Sequence, residues 1–258
     1  MGDEVGLEFD PDWLGLAGSG VLIAGAGGIG SACAKAFMGA GARIALVDLD
    51  RERLESVSKE LGPDTQTITA DLSTGSGARH AVALAEKALG GIDVLVHAVG
   101  INQRKPVIDF TDDEWRKIQS INFDSAFYLA QAAGKSMIDR RRGRIIMLSS
   151  VSGLLAHADH APYAASKGGI NQMMRVMARE WACYGVTVNA IAPGYIETDL
   201  TQEYLSRDDN RLKLEKMVPV GRLGTTIELT GPALFLASRH ASFITGHVLY
   251  VDGGRTLV

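Results

Sequence analysis

From Gly20 onward, short runs rich in Val, Ile and Leu alternate with longer stretches of helical period, and nothing else in the chain constrains its fold as strongly. An apolar run of four to six residues without polar alternation is suited to burial on both faces, as in a parallel sheet covered by helices. The pattern predicts strands over Val21–Ala24, Arg43–Val47, Thr65–Thr69, Val94–His97, Arg144–Leu148, Thr187–Ile191 and His247–Val251. The expected architecture is α/β: a doubly wound parallel sheet of seven strands with helices on both faces. No fixed-period repeat or Pro/Ser-rich linker interrupts the series, so residues 1–258 read as a single domain, with 1–12 as a lead-in segment.

Composition removes several classes of function. A net charge of −4 leaves no global positive field to recruit nucleic acid or an anionic membrane. The run Arg140-Arg141-Arg142-Gly143-Arg144 falls between a predicted helix and strand five, where cations complement a helix C-terminus. Cys33 and Cys183 lie far apart and form no Cys-x-x-Cys pair, which disfavours a disulfide framework or thiolate metal site and fits a reducing cytoplasm. Met1 to Phe9 lacks the basic and apolar regions of a secretory signal, and no apolar run reaches membrane-spanning length.

The first strand runs into Gly25-Ala26-Gly27-Gly28-Ile29-Gly30 and then a helical pattern. This is the strand–turn–helix setting of a Rossmann-type phosphate fingerprint, in which glycines let the backbone approach a pyrophosphate and the helix N-terminus meets its charge. The second strand leads to Asp48, eighteen positions beyond Gly30, where a carboxylate accepts hydrogen bonds from an adenosine ribose and repels a 2′-phosphate. NAD is therefore expected over NADP, with Arg51 or Arg53 able to soften the choice.

Tyr163 and Lys167 stand four residues apart ahead of a helical run, so both fall on one face. An ammonium beside a phenol stabilises the phenolate, and such a tyrosine can exchange a proton with an alcohol or a forming alkoxide. Ser150 follows strand five at the carboxyl edge, where open α/β sheets place ligands, and its hydroxyl can bond a substrate oxygen. Asn122 sits inside a predicted helix after Thr111-Asp112-Asp113-Glu114, where a buried amide must find partners.

Together these residues resemble the short-chain dehydrogenase/reductase family from about Leu16 to Gly254. The resemblance implies a catalytic tetrad of Asn122, Ser150, Tyr163 and Lys167, and a cofactor site of Gly25, Gly27, Gly28, Ile29, Gly30, Asp48, Asp71, Leu72 and Gly100. It adds Pro193, Gly194, Ile196 and Thr198 at the nicotinamide, with Tyr163 and Lys167 also facing the cofactor, and it implies a homotetramer. Two segments depart from the family pattern. The glycine loop has Ala24 for Thr and is one residue shorter, and His97-Ala98-Val99-Gly100 replaces Asn-Asn-Ala-Gly.

Within the family, Gly100-Ile101-Asn102-Gln103-Arg104-Lys105-Pro106 and the Pro162 to Gly168 stretch are similar to gluconate 5-dehydrogenases, whereas Ala192 to Asp199 is similar to 3-oxoacyl-carrier-protein reductases. The implied activity is hydride transfer between NAD(H) and a secondary alcohol or ketone, a sugar acid or polyol, with a 3-oxoacyl thioester as the alternative. Arg104 and Lys105 can attract a carboxylate if their loop edges the cleft. A different class, a non-catalytic NAD(H)-sensing protein, would be marked by loss of the tetrad, and all four positions are filled. His157 and His160 are the close histidine pair; with no His-Glu-x-x-His motif, no catalytic metal is expected and the pair is read as shaping the substrate pocket. Residues 200–218 follow Thr198 and read as helical turns able to close as a lid.

Overall fold

The computed structural model describes residues 12–207 and 209–258, so the expected lead-in segment lies outside the described residues except for Asp12. Seven strands form one parallel sheet: β1 (Gly20–Ala24), β2 (Arg43–Asp48), β3 (Gln66–Thr69), β4 (Val94–His97), β5 (Gly143–Leu148), β6 (Val186–Pro193) and β7 (Val248–Val251). Their spatial order is β3-β2-β1-β4-β5-β6-β7. The order reverses between β1 and β4, which opens a crevice beyond their carboxyl ends.

Every expected strand is present, β4 with the expected bounds and the others with one or both ends moved by one or two residues. β6 is the most extended, from Val186 to Pro193, and all eight of its residues are buried.

Alternation along each strand feeds two cores. Leu22 and Ala24 of β1 pack on one face with Ala78 and Ala81 of α3 (Gly75–Leu89), Leu129 of α5 (Ser125–Asp139) and Met174 of α6 (Ala161–Trp181). Val21 and Ile23 pack on the other with Phe37 of α1 (Gly28–Gly39), Leu54 of α2 (Arg51–Leu61) and Leu236 of α9 (Thr230–Ala237). Three helices on each face give the doubly wound architecture.

One local feature differs from expectation. Helix α4 (Asp112–Gln119) starts at a capping box, Thr111 Oγ1 accepting from Glu114 N while Glu114 Oε2 accepts from Thr111 N. It does not run on as a uniform α-helix through Asn122: residues Ser120–Asp124 form a π-helical turn before α5. Ser125 Oγ donates to the Ile121 carbonyl at 2.5 Å inside this widened turn. Such turns re-aim side chains and recur at functional sites.

Candidate active site

The glycine loop is shaped by steric demands that only some of its glycines carry. Gly25 leaves β1 at φ +94°, and a Cβ there would lie 2.9 Å from the Ala98 carbonyl. A Cβ on Gly30 would sit 1.8 Å from the Gly25 carbonyl oxygen, so helix and strand meet only if position 30 has no side chain. Gly27 is the N-cap of α1; no side chain caps this end and no acid occupies its first turn. The first amides of α1 therefore remain available to an anion, and the cradle fits a pyrophosphate in spite of its shortened loop.

Asp48 has two duties. Its Oδ2 accepts from Ala26 N at 2.7 Å and its Oδ1 from Asp50 N at 3.0 Å, so the carboxylate pins the glycine loop while walling the crevice. Gly25, Gly27, Asp48, Asp71, Leu72 and Gly100 all line this crevice, a cleft of about 370 Å³. Arg53 stands on the same wall, beside Asp50 at 3.7 Å.

Further along the carboxyl edge, Ile29, Pro193, Gly194, Ile196 and Thr198 line a second cleft with Ser150, Tyr163 and Lys167. Tyr163 and Lys167 lie in the first two turns of α6, with Lys167 Nζ 5.6 Å from the Tyr163 ring centroid. Lys167 Nζ donates to the Leu148 carbonyl at 2.7 Å, which ties α6 to the end of β5, and burial pulls its ammonium down to about 8. Burial pushes the Tyr163 phenol up, while the Ser150 hydroxyl and then the Arg104 guanidinium oppose that shift. Ser150 Oγ accepts from Ser152 N at 3.1 Å, capping the short turn Val151–Gly153.

Asn122 joins the cluster from behind. Its side chain is wholly buried; Oδ1 accepts from Ile101 N at 2.8 Å, while Nδ2 donates to Ile101 O at 2.9 Å and Ser166 Oγ at 3.1 Å. It fastens the segment after β4 to α6 instead of facing the cleft. Gly28 and Gly30 likewise build the loop without lining either cleft.

His97 shows what the altered motif does. Since Ser125 Oγ gives its proton to Ile121 O, it accepts from His97 Nε2, 2.8 Å away. His97 thus bridges β4 to the π-helical turn that carries Asn122. Burial, reinforced by the Lys167 charge, drives its imidazole down to about 3, so it is neutral.

A third cleft opens beside Tyr163, walled by Asn102, Arg104, Ser150, His160 and Tyr204 among others. Arg104 Cζ lies 3.6 Å from the Tyr204 ring centroid and has no carboxylate partner among the described residues. Its neighbour Lys105 is instead paired with Glu114, so only Arg104 of the basic pair remains for a ligand. His157 Nδ1 lies 2.9 Å from Ser152 Oγ and its Nε2 3.3 Å from Tyr195 OH, which accepts in turn from Arg255 Nε at 3.2 Å. Asn102, Tyr195 and Tyr204 fall in segments that the sequence marked, but it gave them no individual role, and Arg255 carried no local signal at all.

A profile of the family described as "Enoyl-(Acyl carrier protein) reductase" matches residues 23–256. The gluconate 5-dehydrogenase of Gluconobacter oxydans is 36% identical over 251 residues, 96% of this chain and 98% of that protein. A 3-oxoacyl-[acyl-carrier-protein] reductase of Salmonella typhimurium is 35% identical over 246 residues, 95% of this chain and all of that protein. The crystal structure of a gluconate 5-dehydrogenase from Burkholderia cenocepacia in complex with NADP and tartrate is 36% identical, with a TM-score of 0.90 over 94% of this chain and 96% of that one.

Proposed function

Because this chain belongs to the short-chain dehydrogenase/reductase family, an NAD(P)-dependent group of oxidoreductases acting on CH–OH, we propose that it interconverts a sugar acid or polyol and its ketone. The observation that carries the substrate class is Arg104: a cation without an acidic partner among the described residues, on the wall of the cleft that contains Tyr163 and Ser150. A carboxylate there gains a charge-assisted pairing, and its far end is directed toward the phenol. The names of the Gluconobacter and Burkholderia relatives support the same class.

A bound nicotinamide supplies or accepts the hydride. The chain's own residues handle the proton and the geometry. Ser150 Oγ holds the substrate oxygen, and Tyr163 Oη gives its proton to that oxygen during reduction or takes it during oxidation. Lys167, fixed to the Leu148 carbonyl, brings its ammonium beside the phenol and favours the phenolate left after the transfer. Asn122 and His97 hold the backbone around this pair.

The cofactor preferred by this reading is NAD, because Asp48 presents a carboxylate to the adenosine cleft; Arg53 on the same wall is the group that would tolerate a 2′-phosphate. The working form in this reading is a homotetramer in the cytoplasm, the exposed Phe127 of α5 and Val176 of α6 being apolar surface available for contacts between copies.

The test is turnover with NADH or NADPH and either 5-ketogluconate or an acetoacetyl thioester. Preference for 5-ketogluconate, weakened about tenfold or more in kcat/KM by Arg104→Met, supports the reading. Preference for the thioester, untouched by Arg104→Met, would replace it with the acyl-reductase alternative that the Salmonella relative represents.

A further inference from the structure

His160 occupies the N-cap position of α6, one turn before Tyr163. N-caps are usually Ser, Thr, Asp or Asn, whose short side chains accept a helix N–H; the His160 ring makes no such bond, and only its carbonyl accepts, from Ala164 N at 2.8 Å. The residue before it, Asp159, is held at φ +64°, a conformation that non-glycine residues adopt at a cost. The Asp159 carbonyl accepts from Lys105 N at 3.2 Å, which ties this turn to the segment bearing Asn102 and Arg104. From this turn the His160 side chain lines the substrate cleft.

There the ring is 6% exposed, and neither Nδ1 nor Nε2 has a hydrogen-bond partner among the described residues. Asn102 Oδ1, on the wall of the same cleft, is buried and unpartnered too. Buried polar atoms without partners are uncommon and invite explanation. The adjacent His157 is a contrast, since both of its ring nitrogens reach partners within the protein. Burial, with help from Arg104 and His157, pulls His160 down to about 4, so its ring offers one donor and one acceptor. A hydroxyl group, with one donor and two acceptor sites, complements that ring and the Asn102 carbonyl oxygen. The His160 and Tyr163 ring centroids are 6.1 Å apart on the wall of one cleft, so a hydroxyl bound at His160 lies close to an oxygen bound at Tyr163.

We infer that His160, with Asn102, is the specificity-determining pair that binds a substrate hydroxyl on a carbon flanking the reacting one. The inference rests on the sugar-acid or polyol reading and deepens it, since the pair selects substrates hydroxylated at that carbon and leaves a bare acyl chain with two unpaired polar groups to bury.

The experiment compares wild-type protein, His160→Leu and His160→Gln on 5-ketogluconate and its 4-deoxy and 6-deoxy analogues, with NADH binding as a check on folding. In wild type, loss of one of these two hydroxyls lowers kcat/KM by about tenfold or more. The same deletion costs His160→Leu less than about twofold, because the partner has already gone, and His160→Gln keeps part of the discrimination. If neither deoxy analogue costs the wild type more than about twofold, the inference is overturned without recourse to any variant. An undiminished penalty in His160→Leu overturns it as well. Wild-type protein that ignores 5-ketogluconate and reduces the thioester overturns the functional reading itself, a result distinct from 5-ketogluconate turnover with no hydroxyl preference.

Discussion

At the scale of single residues, Lys167 shows how function and stability pull apart. Its ammonium is almost fully buried with the Leu148 carbonyl as its hydrogen-bond acceptor, and burial lowers it from 10.5 to about 8. Between those two values the unfolded chain holds a proton that the folded protein has released, so stability contributed by this group rises with pH from about 8 to 10.5. A shift of this size is worth about 3 kcal/mol, lost in full below pH 8. Denaturant midpoints measured across this window should therefore show wild type gaining on Lys167→Met as pH rises; parallel curves would contradict the buried charge. Cys33, pushed up to about 12 by burial, acts in the opposite sense above pH 9 in both proteins and cancels from the comparison. Tyr163, Lys167 and Ser150 were legible in the sequence because helical spacing and the end of a strand fix where they point. The sequence put His160 at the substrate pocket, but its unpartnered ring nitrogens and the His97–Ser125 bridge were not legible, since they depend on how the loops pack.

Among the elements, the strands were legible because runs such as Val-Leu-Ile-Ala in β1 carry a two-faced burial signal of their own. The π-helical turn at Ser120–Asp124 was not, because its residues have ordinary helical propensity and the widening is expressed in the Ser125 and Asn122 side-chain bonds. The junction of β1 with α1 allows a sharp prediction. Gly30→Ala puts a methyl group into the Gly25 carbonyl, so the turn must open. NADH affinity, followed by fluorescence titration, should fall at least about tenfold, a loss of about 1.4 kcal/mol or more; affinity within twofold of wild type would show that the contact relaxes cheaply. On the far side of the site, α7 (Asp199–Leu205) and α8 (Asn210–Lys216) contribute Leu200, Tyr204 and Leu214 to the substrate cleft. These helices are proposed as a lid that closes over bound substrate. Proteolysis within 200–218 should slow when cofactor and substrate are both bound, whereas an unchanged cleavage rate would count against closure.

For the whole molecule, the single reversal of strand order between β1 and β4 opens the carboxyl edge of the sheet, along which the three clefts lie. Sequence periodicity reveals such an edge only indirectly, because the clefts are made by loops that meet across β1, β4, β5 and β6. Burial of neutral imidazoles also gives the fold a dependence on pH. His97 falls to about 3 and His160 to about 4, so from pH 6.5 downward the unfolded chain takes up protons that the folded protein refuses. Stability present above pH 6.5 is thus lost on acidification, with a slope of up to about 1.4 kcal/mol per pH unit for each ring. His97→Asn should flatten the slope between pH 6 and 4 by about one proton, and an unchanged slope would mean that His97 does not stay neutral when folded. In the proposed function the three clefts form one dehydrogenase site with Tyr163 as its proton donor and acceptor. Nicotinamide absorbance during 5-ketogluconate reduction by wild type and Tyr163→Phe tests it most directly. In Tyr163→Phe, kcat should fall about a hundredfold or more with NADH binding retained; turnover at a rate near wild type would exclude Tyr163 as the proton donor and acceptor.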